Sequence, residues 1–416
     1  MSSDAEPKLD ADVLVLGASF AGIEVLYQLQ KRTSSPPPRV IVIDRERRHG
    51  YLPLVQERLL GTISLASSVL ESAAWIESVE GARFVQAEVV RLDPDTREVE
   101  LDDGRKLRAK IVVVALGSVL AAPQSLPGAE RLVVHKSGAE FEHARAAITD
   151  ALASEGETPR IVVVGGGISG VELAGELAAL RGRSPIPFAR APEVTLVGAD
   201  PRLVPILPAR VGEKAKAILV EQGVDVRVGT KLVAVHEDGV TAREGDEEIE
   251  IPCALAVWVG GIRPAPVLAQ LGLPRTDDGW LEVGPTLQCF PTERARAGIF
   301  ACGDAVRIVG GTGRWPTMQR AIECIWQAKI VAKNVLALLR NEGEELPPLL
   351  PHRLRETFAY GVSLGARSLV VWGNLCVDVR GVNHWFRRWL MRQYFARYEA
   401  PPAPAIAPSG TQGGVG

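Results

Sequence analysis

The sequence predicts an α/β fold with two Rossmann-like units and a small C-terminal region. The first observation is a repeat: a hydrophobic strand, a small-residue turn and a helix occur in ADVLVLGASFAGIEVLYQL, from Ala11, and again in PRIVVVGGGISGVELAGEL, over 159–177. The second is length, because 416 residues suffice for two or three domains with separate cores. Strands that alternate with helices in this way are typical of doubly wound sheets.

The composition is that of an ordinary globular protein. Apolar residues make up 46% and charged residues 23%, and the net charge of -3 gives no reason to expect a nucleic-acid partner. The N-terminal segment lacks the basic and long apolar regions of a secretory signal, and no run of about 18 apolar residues occurs. We therefore expect a cytoplasmic protein, or one held peripherally at the inner face of the cell membrane.

The cysteines and histidines predict neither a metal site nor a redox dithiol. Five cysteines lie far apart without a CxxC pair, and six histidines are dispersed without ligand spacing. The expectation is reduced, buried thiols and no bound metal.

The two turns have the residues that a pyrophosphate requires. The first glycine permits a tight turn, the second lets backbone approach the phosphates, and the third lets the helix pack on the strand. Ser19 departs from this pattern, but it is small and its hydroxyl can donate a hydrogen bond. The expected contacts are Gly17, Ser19, Ala21 and Gly22 in the first turn and Gly165, Gly167, Ile168 and Gly170 in the second.

The strand that follows each turn predicts how the ribose is held. PRVIVIDRE ends in Asp44 and Arg45, and Asp44 lies 22 residues after Gly22, where a carboxylate accepts hydrogen bonds from an adenosine ribose. In the second copy, EVTLVGADPR ends in Gly198, with Arg202 nearby. Without an acid to repel a 2′-phosphate, both NADH and NADPH stay open as the second nucleotide.

With these motifs the chain resembles the two-dinucleotide flavoproteins of the FAD-dependent pyridine nucleotide-disulfide oxidoreductase superfamily, and in particular the type II NADH dehydrogenases (NADH:quinone oxidoreductases), over roughly residues 11 to 395. Four further segments carry the likeness: GYLPLVQERLLGTI, IVVVALGS, VWVGGIRP and GIFACGDAV. By resemblance, FAD and NADH or NADPH are the cofactors. The additional cofactor contacts that it implies are Pro53, Leu54, Ala115, Gly117, Gly260, Gly261, Gly303 and Asp304.

The resemblance implies an FAD domain interrupted by an NAD(P)H domain. The expected boundaries are residues 1–120 for the first part of the FAD-binding domain, 121–279 for the NAD(P)H-binding domain and 280–344 for the second part of the FAD-binding domain. Residues 345–400 form a C-terminal region in which three strands are expected, one of them SLVVWG, and the Pro- and Gly-rich residues 401–416 are expected to be a disordered tail.

The resemblance also implies the reaction: a hydride from NAD(P)H reaches FAD, and the electrons pass to a second acceptor, a quinone or another small molecule. Glu172 is expected at the nicotinamide end, although a first-turn acid that complements the helix dipole is the plainer interpretation. In AIECIWQAKIVAKN, Gln327 matches a quinone-tunnel glutamine, while Ile322 replaces the usual earlier one. Gln319 offers a second register. GIFACGDAV resembles the second FAD fingerprint of the family, in which Asp304 is expected to hold the ribityl chain or a flavin-side phosphate, with a simple helix cap as the alternative.

Three other functions remain open. One is an NADH-sensing flavoprotein that resembles apoptosis-inducing-factor relatives and has little turnover, and the replacement by Ile322 points that way. Another is a soluble reductase of a small redox protein such as a ferredoxin. A third would use Cys302 and Cys324 as a redox pair, as in the similar sulfide:quinone oxidoreductases, although isolated core thiols are favoured. His49, beside the flavin-facing segment, is the one histidine that we single out.

The C-terminal segment NHWFRRWLMRQYFARY is rich in aromatic residues and arginines. It predicts a helix that either lies at a membrane surface or packs in a homodimer or against a domain. The four arginines Arg387, Arg388, Arg392 and Arg397 are scattered around a helical wheel, so the pattern does not choose between these alternatives.

Overall fold

A computed structural model describes residues 9–32, 36–120, 122–136, 138–153, 158–180, 191–310, 319–343, 345–355 and 359–399. The predicted tail 401–416 lies outside these residues. The described part has the expected mixed α/β architecture, with two sheets that are built around parallel strands and that each carry a glycine-rich turn.

Within the first 120 residues, the described part forms nine strands and three helices. They are β1 (Ala11–Leu16), α1 (Phe20–Arg32), β2 (Val40–Asp44), β3 (His49–Gly50), α2 (Val55–Leu59), β4 (Val69–Leu70), α3 (Ser72–Ser78), β5 (Ala82–Gln86), β6 (Val89–Asp93), β7 (Glu98–Leu101), β8 (Lys106–Val114) and β9 (Ser118–Leu120).

The middle of the chain forms eight strands and three helices in its described residues. They are α4 (Gly138–Ala153), β10 (Arg160–Val164), α5 (Ile168–Ala179), β11 (Glu193–Gly198), α6 (Ala209–Glu221), β12 (Asp225–Val228), β13 (Thr230–Val235), β14 (Gly239–Glu244), β15 (Glu247–Pro252), β16 (Leu255–Trp258) and β17 (Ile262–Pro264).

The last third adds six strands and two helices to the described fold. They are β18 (Leu281–Val283), β19 (Ile299–Ala301), β20 (Val306–Ile308), α7 (Ala321–Leu339), β21 (Ala359–Leu364), β22 (Arg367–Trp372), β23 (Leu375–Arg380) and α8 (Val382–Phe395), and a 3-10 turn over Ala396–Tyr398 follows α8.

The first sheet is assembled from both ends of the chain. Its order is β5-β2-β1-β8-β7-β6, and β19 pairs with β8. The β1, β2, β5, β8 and β19 pairings are parallel, with Val13 opposite Val40 on one side and Ile111 on the other. In the same sheet, β7 pairs antiparallel with both β6 and β8. Strand β1 is apolar along nearly its whole length because both faces of a parallel sheet are covered.

The second sheet is a parallel four-stranded unit of order β12-β11-β10-β16. The antiparallel strands β13, β14 and β15 follow β12 as a separate sheet. The chain passes from the first unit to the second through β9 and returns through β17, and these two strands pair antiparallel, with Ser118 opposite Pro264. This pair sets the two nucleotide-binding units against each other.

The C-terminal region has the three strands that the sequence predicted. Strands β21, β22 and β23 form one antiparallel sheet that packs against α5. Helix α8 then returns to the first unit, where Met391, Tyr394 and Tyr398 join its core. Among the described helices, none is long and apolar enough to cross a membrane.

Candidate active site

One continuous cleft runs between the two parallel sheets and is closed on one side by α8. Its volume is about 2480 Å³, several times that of a drug-sized ligand pocket, which is roughly 300–1,000 Å³. The cleft lies at the carboxyl ends of the strands, where open α/β sheets bind their ligands. It therefore has room for more than one nucleotide.

The first glycine-rich turn is built so that only small residues fit. Gly17 has φ +107°, and a Cβ there would lie 2.4 Å from the carbonyl oxygen of Ala115. A Cβ on Gly22 would lie 1.8 Å from the oxygen of Gly17, which is the close approach of helix to strand that the motif requires. The backbone N–H of Ala18 donates to Asp44 Oδ2 at 2.6 Å. Asp44 therefore stabilises the turn through this hydrogen bond, and it also lines the cleft.

The second turn repeats this geometry. Gly165 has φ +133°, and a Cβ on Gly170 would lie 1.8 Å from the Gly165 oxygen. No atom lies within 4 Å of a Cβ built on Gly167, so the backbone there is open to an incoming phosphate. Helix α5 begins at Ile168, and its unpaired N–H groups favour an anion.

A polar cluster meets the end of the second FAD-type fingerprint. The Asp304 Oδ2 atom accepts a hydrogen bond from Ser118 Oγ at 3.1 Å and lies 3.3 Å from Lys136 Nζ, which also bonds to Ser118. Lys136 is 14% exposed and follows the β9 crossing. Sequence reasoning missed it because no motif marks a lone lysine in a linker.

Gln327 lies behind the cleft wall. Its side chain is fully buried, its Oε1 accepts from the Gly303 N–H at 2.7 Å, and its Nε2 donates to Glu323 at 3.2 Å. Glu323 in turn contacts His352 at 2.5 Å. This network supports the Gly303 turn, whereas Gln319, the other register, does line the cleft and donates to the Asp304 carbonyl.

Three buried glutamates surround one arginine beside the second turn; we call Glu57, Glu172, Glu176 and Arg387 the carboxylate cluster. Arg387 lies 2.9 Å from Glu57 Oε1 and 3.5 Å from Glu172 Oε1. Backbone and hydroxyl of Ser363 donate to Glu172 and Glu176 at 3.0 and 2.9 Å. Helix α8 is therefore tied to α2 and α5 by charge.

Burial governs the ionisation of the carboxylate cluster. It raises the pKa of Glu172, against the pull of Arg387, and it raises the pKa of Glu176 to about 7, with help from the nearby charge of Glu57. Burial alone would lower the Arg387 pKa, but the surrounding glutamates raise it instead. The cluster can therefore hold protons at neutral pH while Arg387 stays charged.

The other end of α8 covers the first turn with aromatic side chains. Tyr394 Oη lies 3.2 Å from His49 Nε2, and His49 Nδ1 lies 3.2 Å from Ser19 Oγ. Burial lowers the His49 pKa to about 3, so the ring is neutral. Further along, both carboxylate oxygens of the fully buried Glu24 accept from Arg397, at 2.7 and 2.8 Å.

The cysteines lie in the core as the sequence predicted. All five are free and buried. Burial raises the pKa of the Cys302 thiol to about 12 and that of Cys324 well above its usual range. Because the thiolate is the reactive form, the raised pKa values favour structural thiols over a redox pair.

The cleft gathers most of the sequence-predicted residues. Those that line it are Gly17, Ser19, Ala21, Asp44, Arg45, Pro53, Leu54, Ala115, Gly117, Ile168, Glu172, Gly303 and Asp304. Those that do not are Gly22, Gly165, Gly167, Gly170, Gly260, Gly261 and Gln327. Gly22 and Gly170 are set back because they pack against the preceding strands.

Gly198 and Arg202, the two positions that bear on the choice between NADH and NADPH, are both packed against neighbouring backbone. A Cβ on Gly198 would lie 3.2 Å from the Gly166 Cα, so the strand end is tightly packed against the second turn. Arg202 donates to the carbonyls of Leu207 and Pro205 at 2.8 and 2.6 Å. Its guanidinium thus braces a loop at the cleft.

Comparison with known proteins agrees with this architecture. A family model described as pyridine nucleotide-disulphide oxidoreductase matches residues 11–328. The type II NADH:quinone oxidoreductase of Staphylococcus aureus strain NCTC 8325 is 27% identical over 359 residues, covering 80% of this chain and 84% of that protein. The counterpart from Staphylococcus saprophyticus is 26% identical over 344 residues, covering 79% and 83%.

Solved structures share the fold at lower identity. NDH2 from Plasmodium falciparum in complex with NADH superposes with a TM-score of 0.78 at 12% identity and covers 93% of this chain and 96% of that chain. The sulfide:quinone oxidoreductase of Aquifex aeolicus has a TM-score of 0.75 at 16% identity, with 94% and 92% covered.

Proposed function

The chain belongs to the pyridine nucleotide-disulphide oxidoreductase family, and on that basis we propose that this NADH-dependent flavin oxidoreductase passes its electrons to a quinone. The observation that carries the proposal is the single cleft that joins Asp304 and the first turn to Ile168 and Glu172 of the second. FAD, when bound, accepts two electrons from a nicotinamide and delivers them to a second acceptor.

The residues of the first unit fit FAD. Gly17 allows backbone to approach the phosphates, Asp44 is placed for a ribose, and Asp304, Ser118 and Lys136 offer both acceptors and donors to the flavin side of the molecule. The Lys136 charge also complements a phosphate. We assign these five residues to FAD binding.

The residues of the second unit fit the hydride donor. The open backbone at Gly167 and the helix start at Ile168 receive its phosphates, and Glu172 lies at the cleft one turn further along α5. Since burial raises the Glu172 pKa, its carboxyl can hold a proton near the place where the two units meet. Helix α8 shields this region from water, because Arg387 and Tyr394 both line the cleft.

The quinone is supported by the apolar part of the wall and by the curated relatives. Ile322, Phe386 and Leu390 line the cleft and are 40 to 45% exposed, which suits a ligand with an apolar body. Two curated relatives bear the name type II NADH:quinone oxidoreductase. Gln319, from the second register, also lines the cleft, and its amide N–H groups suit a quinone carbonyl.

An anaerobic stopped-flow experiment tests the function. NADH is expected to bleach the visible flavin band, and a quinone is expected to restore it with turnover. Recovery with a ferredoxin but no quinone would identify a reductase of a small redox protein, and a stable reduced complex without turnover would identify an NADH-sensing flavoprotein. A flavin that neither NADH nor NADPH reduces would refute the function altogether.

The same experiment, run with NADH and with NADPH, measures how Gly198 affects the preference between the two nucleotides. Without a strand-end carboxylate we expect kcat/KM for NADH to exceed that for NADPH by less than about a thousandfold, which corresponds to some 4 kcal/mol. A larger ratio would mean that another group takes over the discrimination.

We further propose that the C-terminal region rests on an anionic membrane surface. Val370 and Trp372 on β22 lie opposite Val377 and Leu375 on β23, and all four are exposed. On α8, which contacts β23, four more large apolar side chains are exposed: Trp385, Phe386, Trp389 and Leu390. Arg392 is exposed on the same helix. Aromatic residues at headgroup depth beside arginines are typical of interfacial helices.

Vesicle sedimentation tests this contact. The wild-type protein is expected to pellet with anionic vesicles more than with zwitterionic ones, and the double variant Trp385→Ser, Trp389→Ser is expected to lose most of that binding. Val220→Ser, which removes an exposed apolar residue on α6, is the matched control. Absence of vesicle binding together with a concentration-dependent dimer in sedimentation velocity would favour the homodimer instead.

A further inference from the structure

The carboxylate cluster contains a buried acid whose hydrogen-bonding capacity is unused. Glu57 is 2% exposed, and neither of its carboxylate oxygens has a hydrogen-bond partner. Its contact with Arg387 brings the charges to 2.9 Å, but it is not aligned as a hydrogen bond. Buried carboxylates normally accept hydrogen bonds even when they are ion-paired, so the two oxygens of Glu57 have capacity for a further ligand.

The charges of the cluster do not balance. Three carboxylates, those of Glu57, Glu172 and Glu176, face the one guanidinium of Arg387, which leaves two negative charges away from water when all are ionised. Such an excess must be neutralised, because an unpaired buried charge is costly. Two protons or one divalent cation would do so.

A histidine from α8 completes a set of metal ligands. One ligand atom each from Glu57, Glu176 and His384 lie within 4.8 Å of one another. His384 Nε2 lies 2.6 Å from the carbonyl oxygen of Gly365 and must donate to it. A metal-bound histidine usually donates its other ring N–H to a carbonyl or carboxylate in this way, which fixes the ring orientation and leaves Nδ1 as the ligand atom of a neutral ring.

We propose that Glu57, Glu176 and His384 bind a divalent cation of the Zn²⁺ class. Carboxylate oxygen and imidazole nitrogen are both zinc ligands, and three protein ligands with one position left for water is the number found in open zinc sites. Ligands at Zn distances of about 2.0–2.1 Å stand about 3.3 Å apart in a tetrahedron. The observed spacing therefore requires side-chain movements on the order of 1 Å.

The cation would act as a clamp on the C-terminal helix. Its ligands come from α2, α5 and the first turn of α8, which are far apart in the chain. Binding across elements that are apart in the unfolded chain stabilises the folded state. The clamp is separate from the redox chemistry, because none of the three residues is assigned to FAD or to the hydride donor.

Metal content and thermal stability test the proposal. The flavin-loaded protein is dialysed against a chelator, then titrated with Zn²⁺ and, separately, with Mg²⁺, while bound metal and Tm are measured. Wild type is expected to bind Zn²⁺ in an amount on the order of one per chain and to melt higher, with no response to Mg²⁺. Glu176→Gln and His384→Asn are expected to weaken Zn²⁺ binding by at least about 100-fold.

Exposed residues provide matched controls. Glu213→Gln and His143→Asn make the same chemical changes on the surface of α6 and α4 and are expected to bind Zn²⁺ like wild type. Failure of wild type to bind Zn²⁺, or unchanged binding in both cluster variants, would overturn the proposal and leave protons as the neutralising species. Flavin reduction by NADH, followed in the same samples, keeps this outcome separate from a failure of the proposed redox function.

Discussion

Protein with the substitution Asp304→Ala is expected to purify with much less flavin than wild type. Asp304 is the acceptor for Ser118 and the ionic partner of Lys136, which is 14% exposed. If Asp304 binds FAD as proposed, its loss removes a charge-assisted contact to the cofactor, and it also leaves Lys136 without its carboxylate. At about 1.5–3 kcal/mol for a hydrogen bond to a charged group, FAD affinity should fall roughly 10- to 150-fold. The FAD content per chain after purification, and the Kd on reconstitution, measure the effect.

Two further variants test the role of the Asp304 carboxylate. Asp304→Asn keeps an acceptor but loses the charge, so its FAD content should lie between those of wild type and Asp304→Ala. Asp277→Ala, an exposed aspartate in a loop, should retain flavin fully. Equal occupancy in Asp304→Ala and Asp277→Ala would mean that Asp304 does not contribute to FAD binding.

Replacement of Arg387 by methionine is expected to produce the largest loss of stability. Arg387 faces Glu57 and Glu172 inside the protein, and removal of one partner from a buried ion pair costs about 3–5 kcal/mol. Methionine conserves most of the aliphatic volume, so the loss reports on charge. Thermal and denaturant unfolding measure it, with Arg392→Met, which removes an exposed arginine on the same helix, as control. Equal stability of the two variants would show that Arg387 does not compensate the glutamates.

The pH dependence of stability follows from the same cluster. The pKa of Glu176 is about 7 in the folded protein and near its ordinary value of 4.5 in the unfolded chain. The folded state therefore holds the proton more tightly, and this contribution to stability is fully present below pH 4.5 and is lost as pH rises to about 7. In chelator-treated protein, Glu176→Gln should flatten that slope. Arg387→Met should be destabilised most at high pH, where Glu172 and Glu176 lose their protons.

Much of the fold was predictable because its signals are local. The turns at Gly17 and Gly165 combine a buried strand, small residues and a helix start within about a dozen positions, and the structure has both with the expected close contacts. Asp44 follows from the same local pattern and Asp304 from the family resemblance, and both line the cleft. The three C-terminal strands were also predictable, because they contain runs of β-branched residues.

The surroundings of α8 were not predictable in this way. Arg387 and Arg397 lie on different faces of a helical wheel, yet each contacts buried glutamates. Arg387 pairs with Glu57 and Glu172, and Arg397 pairs with Glu24. Gln327 aligns with a tunnel residue by pattern, but its amide is turned to the Gly303 backbone. In each case the partner comes from a distant segment, so no spacing within one element could reveal it.

The amino-acid sequence by itself thus determined the two nucleotide-binding turns, the alternation of strands and helices, and the expectation of FAD and a nicotinamide. Only the tertiary structure decided that Lys136 meets Asp304 and that Glu57, Glu176 and His384 converge, although their histidine had looked isolated along the chain. The physical reason is the distance along the chain over which each interaction acts. Turns and strands are set by backbone sterics and burial over a few residues. Charge pairing and ligand geometry depend instead on which distant side chains folding brings within a few ångströms.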